Sequence, residues 1–267
     1  MGIINVTHDS FFPDSREISV RDAVEKGLAF RESGADSIDV GGESTRPGSE
    51  YVSTEEELRR VVPVVRALVR EVGLPVSVDT RKAAVASEAI RAGATTVNDV
   101  SALRDDPGMI PLCAREGVLV VLMHMRGTPK TMQQNPSYDD TLGEISSELS
   151  TWAEAAIAGG IARDKIILDP GIGFGKRQQD NLLILEGLHR LQALGYPLLI
   201  GLSRKSFLGR IIGGESGPAP VEERGSATLA AHSWCIAAGV DYLRVHDVAA
   251  TRDARAVINA IREVGEA

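Results

Sequence analysis

Eight short apolar, β-branched runs punctuate this chain, and longer stretches with apolar residues every three or four positions lie between them. The runs are GIINVT (2–7), SIDVGG (37–42), PVSVDT (75–80), TTVNDV (95–100), LVVLMH (119–124), IILDPG (166–171), PLLIGLS (197–203) and YLRVHD (242–247). Runs of this length and composition read as buried parallel strands. VRDAVEKGLAFRESG and TEEELRRVVPVVRALVREVG read as amphipathic helices. Gly34, Gly73, Gly93, Gly117, Gly195 and Gly239 stand just ahead of the next run, where a left-handed C-cap ends a helix. Strand and helix alternating eight times in about 250 residues predict an α/β fold of the (β/α)8 TIM-barrel type. A doubly wound open sheet is the alternative, but it usually has fewer strands. No low-complexity linker divides the 267 residues, so one domain over 1–267 is expected. Irregular backbone is expected after strands one, two and five and in GGESGPAPVEERG (213–225).

In a barrel the active site forms at the C-terminal ends of the strands. Strand one ends with Asn5 and Thr7, and strand two carries Asp39 and runs into Glu43. Strand three ends in Asp79, strand four in Asn98 and Asp99, strand five in Met123 and His124. Strand six gives Asp169, strand seven Arg204 and Lys205, and strand eight Arg244 and His246. Taken singly, such residues have ordinary explanations: Asp39 as a turn cap, Asn98 as a partner for loop backbone. All eight strands delivering polar groups to one end predict a site there. Asp79 and Asp169 can accept hydrogen bonds from a donor-rich heterocycle, and Asn98 can both donate and accept. Lys205, Arg244 and His246 supply cationic donors, and the last two, spaced by two, share a face. Carboxylates opposite cations describe a pocket for a flat polar ring with an anionic tail. ESTRPG (43–48) and GIGFGK (171–176) have the glycine and polar content of loops that approach a ligand.

Other chemistries fit less well. A formal net charge of -8 argues against a broad nucleic-acid surface, so any anion site is local. GIGFGK lacks Walker spacing, and Arg177 stands where a P-loop needs Ser or Thr. The histidines show no zinc-ligand spacing; His8, His189 and His232 read as surface or core residues. Glu55, Glu56 and Glu57 read as an acidic first turn of a helix after Thr54, favourable to its dipole. Cys113 and Cys235 are far apart in apolar surroundings, which suits a reducing cytoplasm. No signal peptide is recognised, no run reaches the roughly 18 residues of a membrane span, and Asn5-Val6-Thr7 is a chance glycosylation match.

From MGIINVT through DVGGESTRPG, VDTRKAAVA, VNDVSA, LMHMRGTPKTMQ, LDPGIGFGK and GLSRKSFLG to YLRVHDV, the sequence resembles the dihydropteroate synthase family in order and spacing. The resemblance implies condensation of 6-hydroxymethyl-7,8-dihydropterin pyrophosphate with 4-aminobenzoate in folate synthesis. It implies a pterin pocket of Asp79, Asn98, Met123, Asp169, Gly201 and Lys205, lined by Val100 and Phe174, with Arg244 over the ring and Asp39 supporting it from deep in the pocket. Asn5, Arg244 and His246 would hold the pyrophosphate, with magnesium (Mg2+) assisting near Asn5. Thr45, Arg46, Pro47, Lys205 and Ser206 would shape the aminobenzoate site, with Arg204 as outer support. The implied catalytic set is Lys205, Arg244, His246, Asp79 and Asp169. Small-molecule substrates, a homodimer built through barrel-wall helices, and sensitivity to sulfonamides follow from the same resemblance.

The sequence departs from the family at His8, where many members have Pro, and in the following FFPDSR. It also begins directly at strand one, where members usually have preceding residues. A related barrel that passes a methyl group from methyltetrahydrofolate to a corrinoid would use Asp79, Asn98 and Asp169, but not SRKSFLG or the anion set. A catalytically silent paralogue would have lost site residues, and none is lost.

Overall fold

The computed structural model describes residues 1–6, 19–45 and 48–265. Among the described residues, eight parallel strands alternate with helices: β1 (Gly2–Asn5), β2 (Ile38–Gly41), β3 (Val76–Asp79), β4 (Thr96–Asp99), β5 (Leu119–Met123), β6 (Ile166–Asp169), β7 (Leu199–Gly201) and β8 (Tyr242–Arg244). β1 to β6 pair in chain order, and β7 pairs with β8. Two single bridges, Leu168 with Leu198 and Gly2 with Val245, join these sheets into a closed ring. Leu168 N donates to Pro197 O at 2.9 Å, and Ile3 N to Val245 O at 3.0 Å. Closure removes every sheet edge, which is what lets eight short strands persist. The barrel is as the alternation predicts.

Each strand turns alternate side chains inward and outward. Outward residues such as Ile4, Ile38, Val40, Val78, Val97, Leu122 and Leu168 belong to the main core between strands and helices. Inward Val121, Ile167 and Leu199 form a separate cluster with Met1 and Tyr242 against it. Of the outer helices, α1 (Val20–Glu32) opens on a capping box: Ser19 Oγ accepts from Asp22 N at 3.1 Å, and Asp22 accepts from Ser19 N at 3.2 Å. α1 lays Phe30 over Gly2, where a Cβ would stand 2.4 Å from the ring. α2 (Thr54–Glu71) starts after Ser53, whose Oγ accepts from Glu56 N at 3.2 Å. α5 (Thr141–Ala158) is capped by Asp140. Gly117 closes α4 (Met109–Glu116) in the left-handed region, at φ 65°.

The strands are shorter than the apolar runs, because apolar character continues past the last ladder bond. Leu202, beyond β7, is fully buried without being in the strand. The 213–225 segment is less irregular than expected: 3₁₀ turns cover Gly214–Ser216 and Val221–Arg224. Thr7, His8 and the rest of the loop after β1 lie outside the described residues, as do Arg46 and Pro47.

Candidate active site

The period-two rule decides which end-of-strand residues reach the barrel axis. Counting back from the ends, Asn5, Asp39, Asp79, Asn98, Met123, Asp169, Gly201 and Arg244 all fall on the inward register. Arg244 reaches across the barrel from β8: its Nε donates to Asp39 Oδ2 at 2.6 Å and its Nη2 to Asp79 Oδ2 at 2.9 Å. Asn98 Nδ2 donates to the same Asp39 oxygen at 3.2 Å. Asp39 is wholly buried, and its Oδ1 has no hydrogen-bond partner among the described residues. It lies beneath the pocket rather than in its lining.

Above this layer opens a cleft, continuous with solvent and lined by Thr45, Asp79, Asn98, Val100, Met123, Asp169, Phe174, Gly201, Lys205, Arg244 and His246, with Ile3 and Ser203. Eleven residues expected at the site therefore share one cavity. Ile3 and Ser203 are additions; both sit on the inward register, at 3, 5 and at 199, 201, 203, and that spacing was the signal for them. Ser203 Oγ accepts from His246 N at 3.2 Å, which fixes the chain just past β8. Asn5 ends β1 half-buried, opposite Gly41 in the ladder. Ser206 is the first residue of α8 (Ser206–Gly213) and is exposed at the rim. Arg204 is exposed with a left-handed backbone, φ 55°, and its amide is held by Thr228 Oγ1 at 3.0 Å, an outer position as expected.

Two end-of-strand residues do not belong to the site. Asp99 sits on the outward register of β4, and its carboxylate accepts from Ser101 N, Ser101 Oγ and Leu103 N, at 2.7, 2.6 and 3.1 Å. His124 follows Met123 on the opposite face of β5, fully buried, stacked on Trp152 with 5.4 Å between ring centroids. Its Nε2 meets Glu148 Oε2 at 3.1 Å and its Nδ1 meets Lys176 Nζ at 2.9 Å. The ionised Glu148 can only accept, so Nε2 carries the hydrogen, and in the neutral ring Nδ1 is left to accept from Lys176. Burial, with Lys176 beside it, holds the His124 pKa down to about 4.

Lys176 anchors the far wall of the cleft. Besides His124 Nδ1, its Nζ donates to Phe174 O at 3.0 Å and to His124 O at 3.2 Å. Gln133 Nε2 donates to Gly173 O at 2.8 Å, and Tyr138 Oη to Gly175 O at 2.9 Å. Two backbone positions of one loop are thus tied to the segment after β5, and Lys176 ties the same loop to His124. Phe174 packs there against Val100, Met123, Met125 and Met132, an apolar wall beside the polar groups. Lys205 Nζ donates to Ile172 O and stands 4.7 Å from the centre of the Phe174 ring.

The electrostatics follow from burial. Burial pushes the Asp79 pKa up to about 7, against the pull of Arg244. Burial also raises Asp169, opposed by Lys205 and by the Gly171 N–H that Oδ1 accepts at 2.7 Å. Burial lowers Lys205 to about 8, with Asp169 restraining the shift. Cations and carboxylates that tune one another inside one cleft are the mark of a ligand-binding centre.

A model of the pterin binding enzymes matches residues 1–246 of the chain. The chain belongs to the dihydropteroate synthase family of pterin-binding enzymes. It is 42% identical over 261 residues to dihydropteroate synthase of Synechocystis, covering 98% of this chain and 89% of that one. Among solved structures, dihydropteroate synthase of Yersinia pestis in a sulfonamide drug complex superposes with a TM-score of 0.92, at 41% identity, covering 98% of this chain and 93% of that one. The Xanthomonas albilineans enzyme, solved with 4-aminobenzoic acid, superposes with a TM-score of 0.90 at 46% identity, covering 98% and 92%.

Proposed function

We propose that the chain condenses 6-hydroxymethyl-7,8-dihydropterin pyrophosphate with 4-aminobenzoate, giving 7,8-dihydropteroate and pyrophosphate. The observation that carries this reading is the meeting of Asp79, Asn98 and Asp169 with Lys205, Arg244 and His246 in one cleft, beside the apolar Phe174 wall. The carboxylates and Asn98 accept from the amino and ring N–H groups of the pterin, and Lys205 donates to its carbonyl edge. Arg244 and His246 face the pyrophosphate. The carbon–oxygen bond to pyrophosphate breaks first, its electron pair leaving with the phosphate oxygen. The electron-rich dihydropterin carries the resulting positive charge, which Asp79 and Asp169 favour. The arylamine nitrogen then bonds to the methylene carbon and releases its proton. Thr45, Arg46, Pro47, Lys205 and Ser206 shape the arylamine site, and its carboxylate docks at the start of α8, where Ser206 and free N–H groups favour an anion.

Magnesium fits this donor set. Asn5 offers one amide oxygen at the end of β1, and among the described residues no cluster of three His, Cys, Asp or Glu side chains cages a metal. One protein oxygen plus substrate phosphates is an ordinary way to hold magnesium. When bound there, the ion supplies positive charge to the departing pyrophosphate. Residues 1–267 act as one pterin-binding domain, working as a homodimer in the cytoplasm; among the described residues no helix is long and apolar enough to cross a membrane. Sulfonamides inhibit by occupying the aminobenzoate site.

The corrinoid alternative accounts for Asp79, Asn98 and Asp169, but its substrate carries no pyrophosphate for Asn5, Arg244 and His246 to face. The test is product analysis by chromatography after mixing the protein with both substrates and magnesium. Dihydropteroate and pyrophosphate are expected in equal amounts, with turnover lost in Asp169→Asn. Pterin binding with no product would make the chain a silent pterin binder and overturn the reading.

A further inference from the structure

Glu57 does more than favour a helix dipole. Its side chain is fully buried on the inner face of α2, and its Oε2 lies 2.5 Å from Lys82 Nζ. Lys82, itself only 7% exposed, also donates to Glu43, the residue that follows Gly42 after β2. Its ammonium stands 4.4 Å from the Tyr51 ring centre. Burial opposes the charge on Lys82, but Glu43 and Glu57 outweigh it and hold its pKa above the ordinary value. Arg81 braces the same carboxylate: Nη2 donates to Glu43 Oε1 at 2.6 Å while Nη1 donates to Asp105 at 2.8 Å. Arg60 Nη1 donates to Gly42 O at 3.0 Å.

These contacts converge on one short piece of chain. Gly42, Glu43 and Tyr51 are gripped from the turn after β3 and from α2, and Thr45, two residues past Glu43, lines the cleft. Lys82 is not among the residues lining the cleft. A buried ion pair is an expensive way to gain stability, since apolar residues of the same volume often do as well or better. What it does supply is direction: a cation between two carboxylates fixes where each of them sits.

We propose that Lys82 is a positioning residue for the arylamine half of the reaction, joining Glu43 to Glu57 so that the chain after β2 presents Thr45 to 4-aminobenzoate. The proposal rests on the synthase reading above, and it separates the two half-sites. Asp79, Asn98, Asp169, Lys205 and Arg244, and Asp39 beneath them on β2, form no hydrogen bond with Lys82, so pterin binding is expected to change far less than arylamine binding.

The test uses the full chain and three variants. Lys82→Met cuts both links and leaves the buried Glu57 without its cation, while Glu43 keeps Arg81, which costs stability. Lys82→Met combined with Glu57→Gln removes one charge of each sign and keeps the cluster balanced. Lys82→Arg keeps the charge and can reach both acceptors. Hydrogen exchange on the free proteins is expected to quicken about tenfold in residues 42–53 of the balanced double variant, with the strands unchanged. In turnover, the double variant is expected to raise KM for 4-aminobenzoate about tenfold, with kcat and KM for the pterin pyrophosphate within about twofold. Lys82→Arg recovers most of that loss. Unchanged exchange in 42–53, or equal rises in both KM values, overturns the positioning role. If the intact protein makes no dihydropteroate, the synthase reading fails and the arylamine role falls with it, while exchange still reports whether Lys82 grips the segment.

Discussion

Asp79 and Lys205 share one cleft with proton affinities moved towards each other by burial, Asp79 up to about 7 and Lys205 down to about 8. Below the first value Asp79 gains a proton, losing its charge and turning one oxygen from acceptor to donor; above the second Lys205 loses its charge. Affinity for a pterin should therefore peak between the two and fall by up to tenfold per pH unit on either side, the apparent values belonging to the coupled groups. Calorimetric titration with a pterin analogue across this range checks it. An affinity that is flat from about pH 6 to about pH 9 contradicts the assignment. The identities of these residues were legible in the sequence because function in a barrel collects at strand ends. Their partners were not. Lys176 finds His124 from 52 residues away and Lys82 finds Glu57 from 25, separations at which no local pattern survives. Asp99 and His124 looked like site residues because position along a strand was counted without its face; one register step turns each into a brace for the backbone behind the pocket.

The segment from β6 to α6 (Gln178–Glu186) carries the far wall of the cleft, and its first turn depends on Gly171. Gly171 has φ +66°, and a Cβ there would stand 1.9 Å from His124 O. Gly73, at the end of α2, has φ +74° with nothing within 4 Å of its Cβ position. Gly73→Ala should cost about 1 kcal/mol, the strain of a left-handed alanine alone. Gly171→Ala should cost about 3 kcal/mol or more, because backbone must move as well, and it should weaken pterin binding by displacing Phe174. Urea denaturation of both variants gives the comparison; equal losses would show that close packing against His124 O is not what fixes this turn. All eight strands and the sites of the helix-ending glycines were legible as elements. Strand lengths were not, since the ladder ends where the neighbouring strand turns away, and a lone run of residues carries no mark of that.

At the scale of the molecule, a chain of net charge -8 gathers Lys205, Arg244 and His246 with Asp79 and Asp169 in one cleft at one end of a closed barrel, so recognition of an anionic substrate there would be local rather than steered by the whole surface. The outer surface has its own feature. Val257, Ile261 and Val264 are 60%, 67% and 80% exposed along one stripe of α10 (Val248–Gly265), and Trp234 on the neighbouring α9 (Gly225–Ala237) is 56% exposed. The proposed homodimer would cover an apolar stripe of this kind. Sedimentation should find a dimer, and Val257→Glu with Ile261→Glu should yield monomers with the fold retained; a monomeric intact chain contradicts this. The eightfold alternation was legible at this scale because each βα unit repeats the same local pattern. Closure of the ring was not, because it joins Met1 and Gly2 to Val245 across the length of the chain. The most direct measurement is a crystal structure of the protein soaked with the pterin pyrophosphate and magnesium. The ring should lie against Asp79, Asn98 and Asp169 with Lys205 at its carbonyl edge, and the phosphates should face Asn5, Arg244 and His246. A pterin bound elsewhere, or turned so that its phosphates face Asp79 and Asp169, would contradict the proposed site.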